Sequence, residues 1–305
     1  MTHLLVTGAS GLLGLNLSLL AVAQGFKVTG WVHARGLKHA PFSIQRVDLC
    51  ELDSIAARIT EIKPDLIIHC AALANLEAAE ADPGLAQRLN SDAAGRLAQI
   101  AAERQINFVH ISTDAVFNGQ RGDYTEEDEP SPLGVYAQSK LAGELAVREA
   151  NPSAIIARVN FYGWSLSGER SLAEFFFNNL QAGNPIKGFT DVLFCPLYVA
   201  QLADILLEMV VKKLYGVYHV LSAESLSKYA FGLAIARRFG FNENLITPIS
   251  VQNADLLAPR SPNLTLKVDK LQNDLGHALP KQVEGLEAFY QAYQNDIPNQ
   301  LRACL

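Results

Sequence analysis

Tyr136 and Lys140 lie four apart in Tyr136-Ala137-Gln138-Ser139-Lys140, and Thr113 stands upstream in Ser112-Thr113-Asp114. Residues four apart share one face of a helix. A tyrosine and a lysine so placed fit carbonyl reduction. Arrival of a hydride creates an alkoxide, and a phenol can deliver the proton it needs if its pKa, about 10 unperturbed, is brought toward neutrality. The charge on Lys140 and that on an oxidised nicotinamide ring both favour phenolate. The Thr113 hydroxyl is expected to hydrogen-bond the substrate oxygen and fix its position. By itself a Tyr-x-x-x-Lys pair is usually two exposed helix residues, so its weight depends on the elements around it.

Those elements begin with Thr7-Gly8-Ala9-Ser10-Gly11-Leu12-Leu13-Gly14, between the apolar run Leu4-Leu5-Val6 and a helical pattern over Leu12 to Gln24. Strand, glycine turn and helix start make a phosphate cradle. Gly8 permits the turn, Gly11 admits a diphosphate to the backbone N–H groups, and Gly14 lets the helix pack on the strand. Phe26 to Val32 reads as a second strand. The residues after it, His33-Ala34-Arg35, lack the acid that would favour a free ribose 2′-hydroxyl. His33 and Arg35 therefore favour NADP, with NAD the alternative, although Arg35 also reads as a solvated loop charge. After a short third strand, Ile44 to Val47, Asp48-Leu49 is placed to meet the adenine; otherwise Asp48 or Asp53 caps a helix over Ser54 to Ile62.

The fourth strand, Leu66 to Cys70, is apolar nearly throughout, as a sheet buried on both faces requires. Cys70 reads as a small buried hydrophobe, and Ala71-Ala72 offers room for a flat ligand. Pro83 and Gly84 open a long helix with apolar positions at Leu85, Leu89, Ala93, Leu97 and Ala101. Asn90 interrupts it, either to satisfy a neighbouring backbone group or to hold the catalytic lysine through water. The next strand, Phe108 to Ser112, ends at Thr113-Asp114, on the edge where open α/β sheets bind ligands. Residues 118–134 read as a surface loop, and a helix from near Leu133 carries Tyr136 and Lys140.

Past Gly163 the pattern changes. Ser171 to Ala182 is a helix whose Phe175-Phe176-Phe177 fills a core, Tyr198 to Val211 is another, and Gly216 to Val220 has the apolar content of a sheet strand. The expected organisation is a Rossmann-type doubly wound α/β domain over 1–160, rejoined at about 195–221. A smaller substrate-binding lobe comprises 161–194 and 222–305, with Leu286 to Tyr293 as its closing helix.

The 305 residues suffice for such a core. A net charge of -6 disfavours nucleic acid as a partner. An anionic ligand would need local cations, for which Arg35, Lys140, Arg158, Arg170, Lys187 and Arg260 are available. Four scattered cysteines suggest neither a disulfide frame nor a zinc site. With no signal peptide or membrane-length apolar run, the expectation is a cytoplasmic protein without membrane or metal, and a homodimer is left open.

These motifs resemble the extended short-chain dehydrogenase/reductases, and within them the dTDP-4-dehydrorhamnose reductase family, over nearly the whole chain. The resemblance rests on the glycine turn, on Lys63-Pro64-Asp65-Leu66-Ile67-Ile68-His69-Cys70-Ala71-Ala72, and on His110-Ile111-Ser112-Thr113-Asp114-Ala115-Val116-Phe117-Asn118-Gly119. It continues through Ser131 to Tyr136, Ser139 to Glu144, and Arg260-Ser261-Pro262-Asn263-Leu264-Thr265-Leu266. It implies Thr113, Tyr136 and Lys140 as the catalytic trio, and a nicotinamide near Val159 to Phe161. Gly8, Ser10, Gly11, Leu12, Leu13, Gly14, His33, Arg35, Asp48, Leu49, Cys70, Ala71, Ala72, Asn90 and Ile111 are the remaining cofactor contacts. Leu73, Asn75, Asp114, Ala115, Asn160 and Arg260 join Thr113 as substrate contacts, Arg260 toward a diphosphate.

The implied activity is NAD(P)H-dependent reduction of a nucleotide-linked 4-keto-deoxysugar, as in dTDP-rhamnose biosynthesis. Ala115 replaces an acid of the related dehydratases and cannot transfer a proton, so dehydration is disfavoured. The segment Leu73-Ala74-Asn75-Leu76-Glu77 departs from the reductase pattern, and Arg158-Val159-Asn160-Phe161-Tyr162-Gly163 resembles the epimerases. The alternatives are an NAD-dependent epimerase, and a non-catalytic dinucleotide-binding subunit similar to the β subunit of methionine adenosyltransferase.

Overall fold

The computed structural model describes residues 1–34, 36–253 and 261–305. Its strands are β1 (His3–Thr7), β2 (Lys27–Val32), β3 (Ser43–Arg46), β4 (Leu66–His69), β5 (Asn107–Thr113), β6 (Ile155–Val159), β7 (Phe161–Tyr162), β8 (Ile186–Phe189), β9 (Leu193–Phe194), β10 (Leu197–Tyr198), β11 (Gly216–Val220), β12 (Leu226–Ser227), β13 (Ile246–Ile249) and β14 (Asn263–Leu264). Its α-helices are α1 (Leu12–Ala23), α2 (Leu52–Ile62), α3 (Leu76–Ala81), α4 (Pro83–Gln87), α5 (Ala93–Glu103), α6 (Gly134–Ala150), α7 (Leu172–Gln181), α8 (Val199–Val211), α9 (Lys228–Phe239), α10 (Asp269–Leu275), α11 (Gln282–Gln294) and α12 (Ile297–Arg302).

Seven parallel strands form one sheet in the order β11-β6-β5-β4-β1-β2-β3. The order reverses between β1 and β4, and such a switch point opens a crevice at the C-terminal ends of the strands. Side chains alternate across the sheet. Leu4 and Val6 of β1 enter a core shared with α1 and α8, whereas Leu5, with Ile67 of β4, enters a second core against α2 and α5. Period-two alternation with both faces apolar is what a doubly covered sheet requires.

Beyond β6 the chain builds three small sheets, β10-β7, β12-β9-β14 and β13-β8, while β11 pairs with β6 in the main sheet. An aromatic cluster joins α7, α9 and α11, with Trp164 stacked on Phe289 at 4.1 Å between centroids. Phe176 and Phe177 belong to that core, but Phe175 on the opposite side of α7 is 46% exposed. The expected closing helix is α11, and α12 follows it. Among the described residues no helix is long and apolar enough to cross a membrane.

The long helix expected from Pro83 is broken into α4, a five-residue π-helical segment over Arg88–Asp92, and α5. An apolar recurrence of four residues drifts by about 40° per step on a helix of 3.6 residues per turn, and the wider π turn absorbs part of that drift. The expected cap of α2 by Asp48 or Asp53 is absent: Glu51 precedes the helix without a side-chain cap, and Asp48 instead accepts from Cys50 N at 2.9 Å.

Candidate active site

The glycine turn lies at the switch point. Gly8 has φ +68°, and a β-carbon there would stand 2.8 Å from the Ala71 backbone at the end of β4. Gly14 faces the Gly8 carbonyl too closely for any side chain. Gly11 N donates to Gly8 O at 2.8 Å and precedes α1 without a side-chain cap, leaving the first-turn N–H groups without an intrahelical partner. That is an anion site by construction.

Over the turn opens a cavity of about 440 Å³, lined by Gly8, Ser10 and Gly11, by His33 and Ala34 after β2, by Asp48 and Leu49 after β3, and by Cys70 to Leu73 after β4. Leu85 and Leu89 close one side, and Arg170 reaches in from the loop before α7. Its volume falls in the range of small-molecule and cofactor sites. Cradle, uncapped helix start and the cavity above them together fit a dinucleotide. Leu12 and Leu13 play a supporting part: Leu13 is buried, and the Leu12 side chain packs toward Gly163.

After β2 and β3, His33 Nε2 lies 3.9 Å from Asp48 Oδ2. Arg46, at the end of β3, donates to His33 O and Ala34 O, each at 2.9 Å. Arg46 was not singled out by the sequence; its signal is its register opposite Val32, visible only once β2 and β3 are paired. Arg35 and Arg260 lie outside the described residues.

Thr113 ends β5 and Tyr136 and Lys140 occupy α6. Thr113 Oγ1 donates to Asp114 Oδ1 at 3.1 Å, and Asn160 Nδ2 donates to Asp114 Oδ2 at 2.6 Å. Asp114 and Asn160, both expected to touch substrate, are thus bonded to each other. Burial pushes the Asp114 carboxyl up to about 6, against the lowering effect of those two hydrogen bonds and the Lys228 charge. Ala115 N donates to Thr113 Oγ1 in the short helical turn that follows. Tyr136 is pushed up to about 12, chiefly by burial and further by the Asp114 charge, while the neighbouring Thr113 hydroxyl acts in the opposite sense.

Lys140 is buried and donates to Ile111 O at 2.7 Å, with His110 Nε2 at 3.3 Å. Burial lowers its ammonium to about 8, opposed by the Glu144 and Cys70 charges. The ammonium is directed at the strand backbone, and the groups that set the Tyr136 phenol are burial, Thr113 and Asp114. Beneath Lys140, Thr7, His69 and His110 occupy one register row across β1, β4 and β5, with Thr7 Oγ1 2.7 Å from His69 Nδ1. Burial lowers His69 to about 3 and His110 well below its ordinary value, so both rings are neutral. Cys70 joins the two regions: it lines the cavity, and its thiol, pushed up to about 12 by burial, feels the Lys140 charge.

Asn90 is fully buried in the π-helical segment. Its side chain accepts from Leu73 N at 2.8 Å and donates to Leu73 O at 3.2 Å and to Ser139 Oγ at 2.9 Å. It therefore satisfies neighbouring groups, holding the Leu73 backbone beside the helix of Tyr136 and Lys140. Asn75 is the N-cap of α3, accepting from Ala78 N at 2.7 Å. Arg158 is no anion contact: it is buried and ion-paired with Glu144 at 2.8 Å. Val159 is buried opposite Thr113 in register, and half-buried Phe161 opens β7.

Residues 1–295 match the RmlD substrate binding domain family. The chain is 32% identical over 297 residues to a probable low-salt glycan biosynthesis reductase, Agl14, of Haloferax volcanii, covering 95% of this chain and 98% of that one. It is 32% identical over 298 residues to methionine adenosyltransferase 2 subunit beta of Rattus norvegicus, covering 94% and 87%. The crystal structure of dTDP-4-dehydrorhamnose reductase from Bacillus anthracis in complex with NADP superposes with a TM-score of 0.85 at 27% identity, covering 95% of this chain and 99% of that one. With its glycine turn at the switch point and Tyr136 and Lys140 on the helix beside it, the chain belongs to the RmlD substrate-binding-domain family of extended short-chain dehydrogenases/reductases.

Proposed function

We propose that the chain is an NAD(P)H-dependent reductase of the 4-keto group of a nucleotide-linked deoxysugar, with NADP preferred. The observation that carries this reading is the placement of Thr113 at the C-terminal end of β5 with Tyr136 and Lys140 on α6, beside the glycine cradle. Gly8, Ser10, Gly11 and the start of α1 would hold the dinucleotide diphosphate, with Asp48 and Leu49 flanking the adenine and Cys70 to Ala72 the middle of the cofactor. When bound, the dinucleotide supplies the hydride.

Thr113 Oγ1 orients the carbonyl oxygen, and Tyr136 Oη gives that oxygen its proton as negative charge develops on it. A cation in the cleft favours the phenolate left behind. Lys140 provides such a cation when its Nζ turns from Ile111 O toward the cleft. The smaller lobe, 161–194 with 222–305, would supply the sugar and nucleotide contacts, together with Asn160 at the end of the first domain. The names of the Haloferax and Bacillus relatives support a sugar reductase. An assay of NADPH absorbance across nucleotide-linked 4-keto-sugars tests the reading; oxidation with at least one is expected.

A regulatory, dinucleotide-binding subunit is the second reading. It is favoured by the likeness to methionine adenosyltransferase 2 subunit beta and by a Tyr136 phenol held near 12. Absence of NADPH oxidation throughout the panel, together with recovery of one stoichiometric enzyme partner, would decide for it.

A further inference from the structure

Arg170 lines the same cavity as Gly8, Ser10 and Gly11, although it belongs to the segment after β7. Its guanidinium is exposed, and among the described residues no carboxylate is paired with it. Its backbone is fixed. Glu174 is fully buried in the first turn of α7, and its carboxylate accepts from Ser165 N at 2.6 Å, Ser165 Oγ at 2.9 Å, Arg170 N at 2.8 Å and Ser171 N at 3.0 Å. Four donors on one buried carboxylate make the loop a rigid bracket rather than a free strand of surface.

The bracket is seated on the helix that starts at the glycine turn. Asn16 of α1 donates to Trp164 O at 3.0 Å, and Gly163 lies against Leu12 and Val199. Arg170 is therefore carried on a loop anchored to the first turns of α1, at the diphosphate end of the cavity. The 2′-end lies with His33 and Ala34, where Arg46 already holds the backbone.

We infer that Arg170 is a binding residue that closes on the dinucleotide diphosphate from the second lobe, opposite the glycine turn. The turn offers only neutral N–H donors and a helix dipole, and a planar guanidinium supplies the full charge and paired donors that a diphosphate takes. This inference rests on the dinucleotide reading above.

The test is titration calorimetry of the full-length protein and of Arg170→Ala and Arg170→Lys with NADPH, ADP-ribose, 2′,5′-ADP and reduced nicotinamide mononucleotide. Arg170→Ala is expected to weaken NADPH and ADP-ribose about tenfold, Arg170→Lys to lose less, and nicotinamide mononucleotide, which has no diphosphate, to be unaffected. The side chain is exposed, so melting temperatures should match and exclude misfolding as the cause. Unchanged ADP-ribose affinity in Arg170→Ala would overturn the inference while leaving the dinucleotide reading intact. A loss confined to 2′,5′-ADP would overturn it in favour of the 2′-phosphate. If the unaltered protein bound none of the dinucleotides, both the reading and the inference would fall.

Discussion

Tyr136 and Asp114 both lie beside Thr113. The Thr113 hydroxyl donates its one proton to Asp114 and favours that carboxylate, while burial disfavours the charge on both residues. Replacing Tyr136 by Phe removes the proton source and little packing volume. Turnover should fall by about 10²–10⁴-fold with NADPH affinity within a few-fold, as stopped-flow and calorimetric titration would show; retained turnover would take Tyr136 out of the mechanism. Asp114 gives a pH signature. Its folded-state pKa of about 6 stands above the ordinary 3.8, so the native state holds a proton that the unfolded state releases. Stability is therefore greatest below the ordinary value and falls as pH rises from about 4 to about 6. Two pKa units correspond to about 3 kcal/mol. Urea unfolding at pH 4 and pH 6.5 should show the unaltered protein losing up to that amount relative to Asp114→Asn, and parallel profiles would mean that Asp114 titrates normally.

At the scale of elements, α6, which carries Tyr136 and Lys140, is fixed against the π-helical segment. Gly143 of α6 faces the Asn90 carbonyl, with no room for a β-carbon, and Asn90 in turn holds Ser139 on α6 and Leu73 at the cavity wall. Gly143→Ala must push these elements apart. A cost of about 1–3 kcal/mol is expected in chemical denaturation, and a raised KM for NADPH should accompany it as Leu73 shifts. A variant with unchanged stability and KM would show that the contact relaxes locally. What the sequence reveals of this region is instructive. Strand, turn and helix at Leu4 to Gln24, and the Tyr136–Lys140 face, are local patterns and are legible. The four-residue recurrence of Leu85 to Ala101 carried the signal of a wider turn, but reads as an ordinary helix until its drift is counted. Arg158 looked like a free cation because Glu144, its buried partner, lies on another element. Arg46 likewise depends on the pairing of β3 with β2, and the place of Arg170 on the seating of its loop on α1 through Asn16 and Trp164, 148 residues apart.

Across the whole molecule, residues near 304 return to the segment after β2. Cys304 O accepts from Lys38 N at 2.8 Å, and Leu37, Leu301 and Cys304 are buried. The segment after β2 is thus held at two points, by Arg46 on His33 O and Ala34 O and by the chain terminus on Lys38 N. If that segment reads the ribose 2′-phosphate, its order depends on residues more than two hundred positions away. Removing Ala303, Cys304 and Leu305 deletes one anchor and leaves α12 in place. One backbone hydrogen bond contributes about 0.5–1.5 kcal/mol, enough to weaken NADPH several-fold, with NADH affected less because it carries no 2′-phosphate. Calorimetric titration of both dinucleotides against the truncated chain measures that ratio. Equal losses would place the effect of the terminus on the fold as a whole, and no loss would uncouple it from the cofactor end of the cavity.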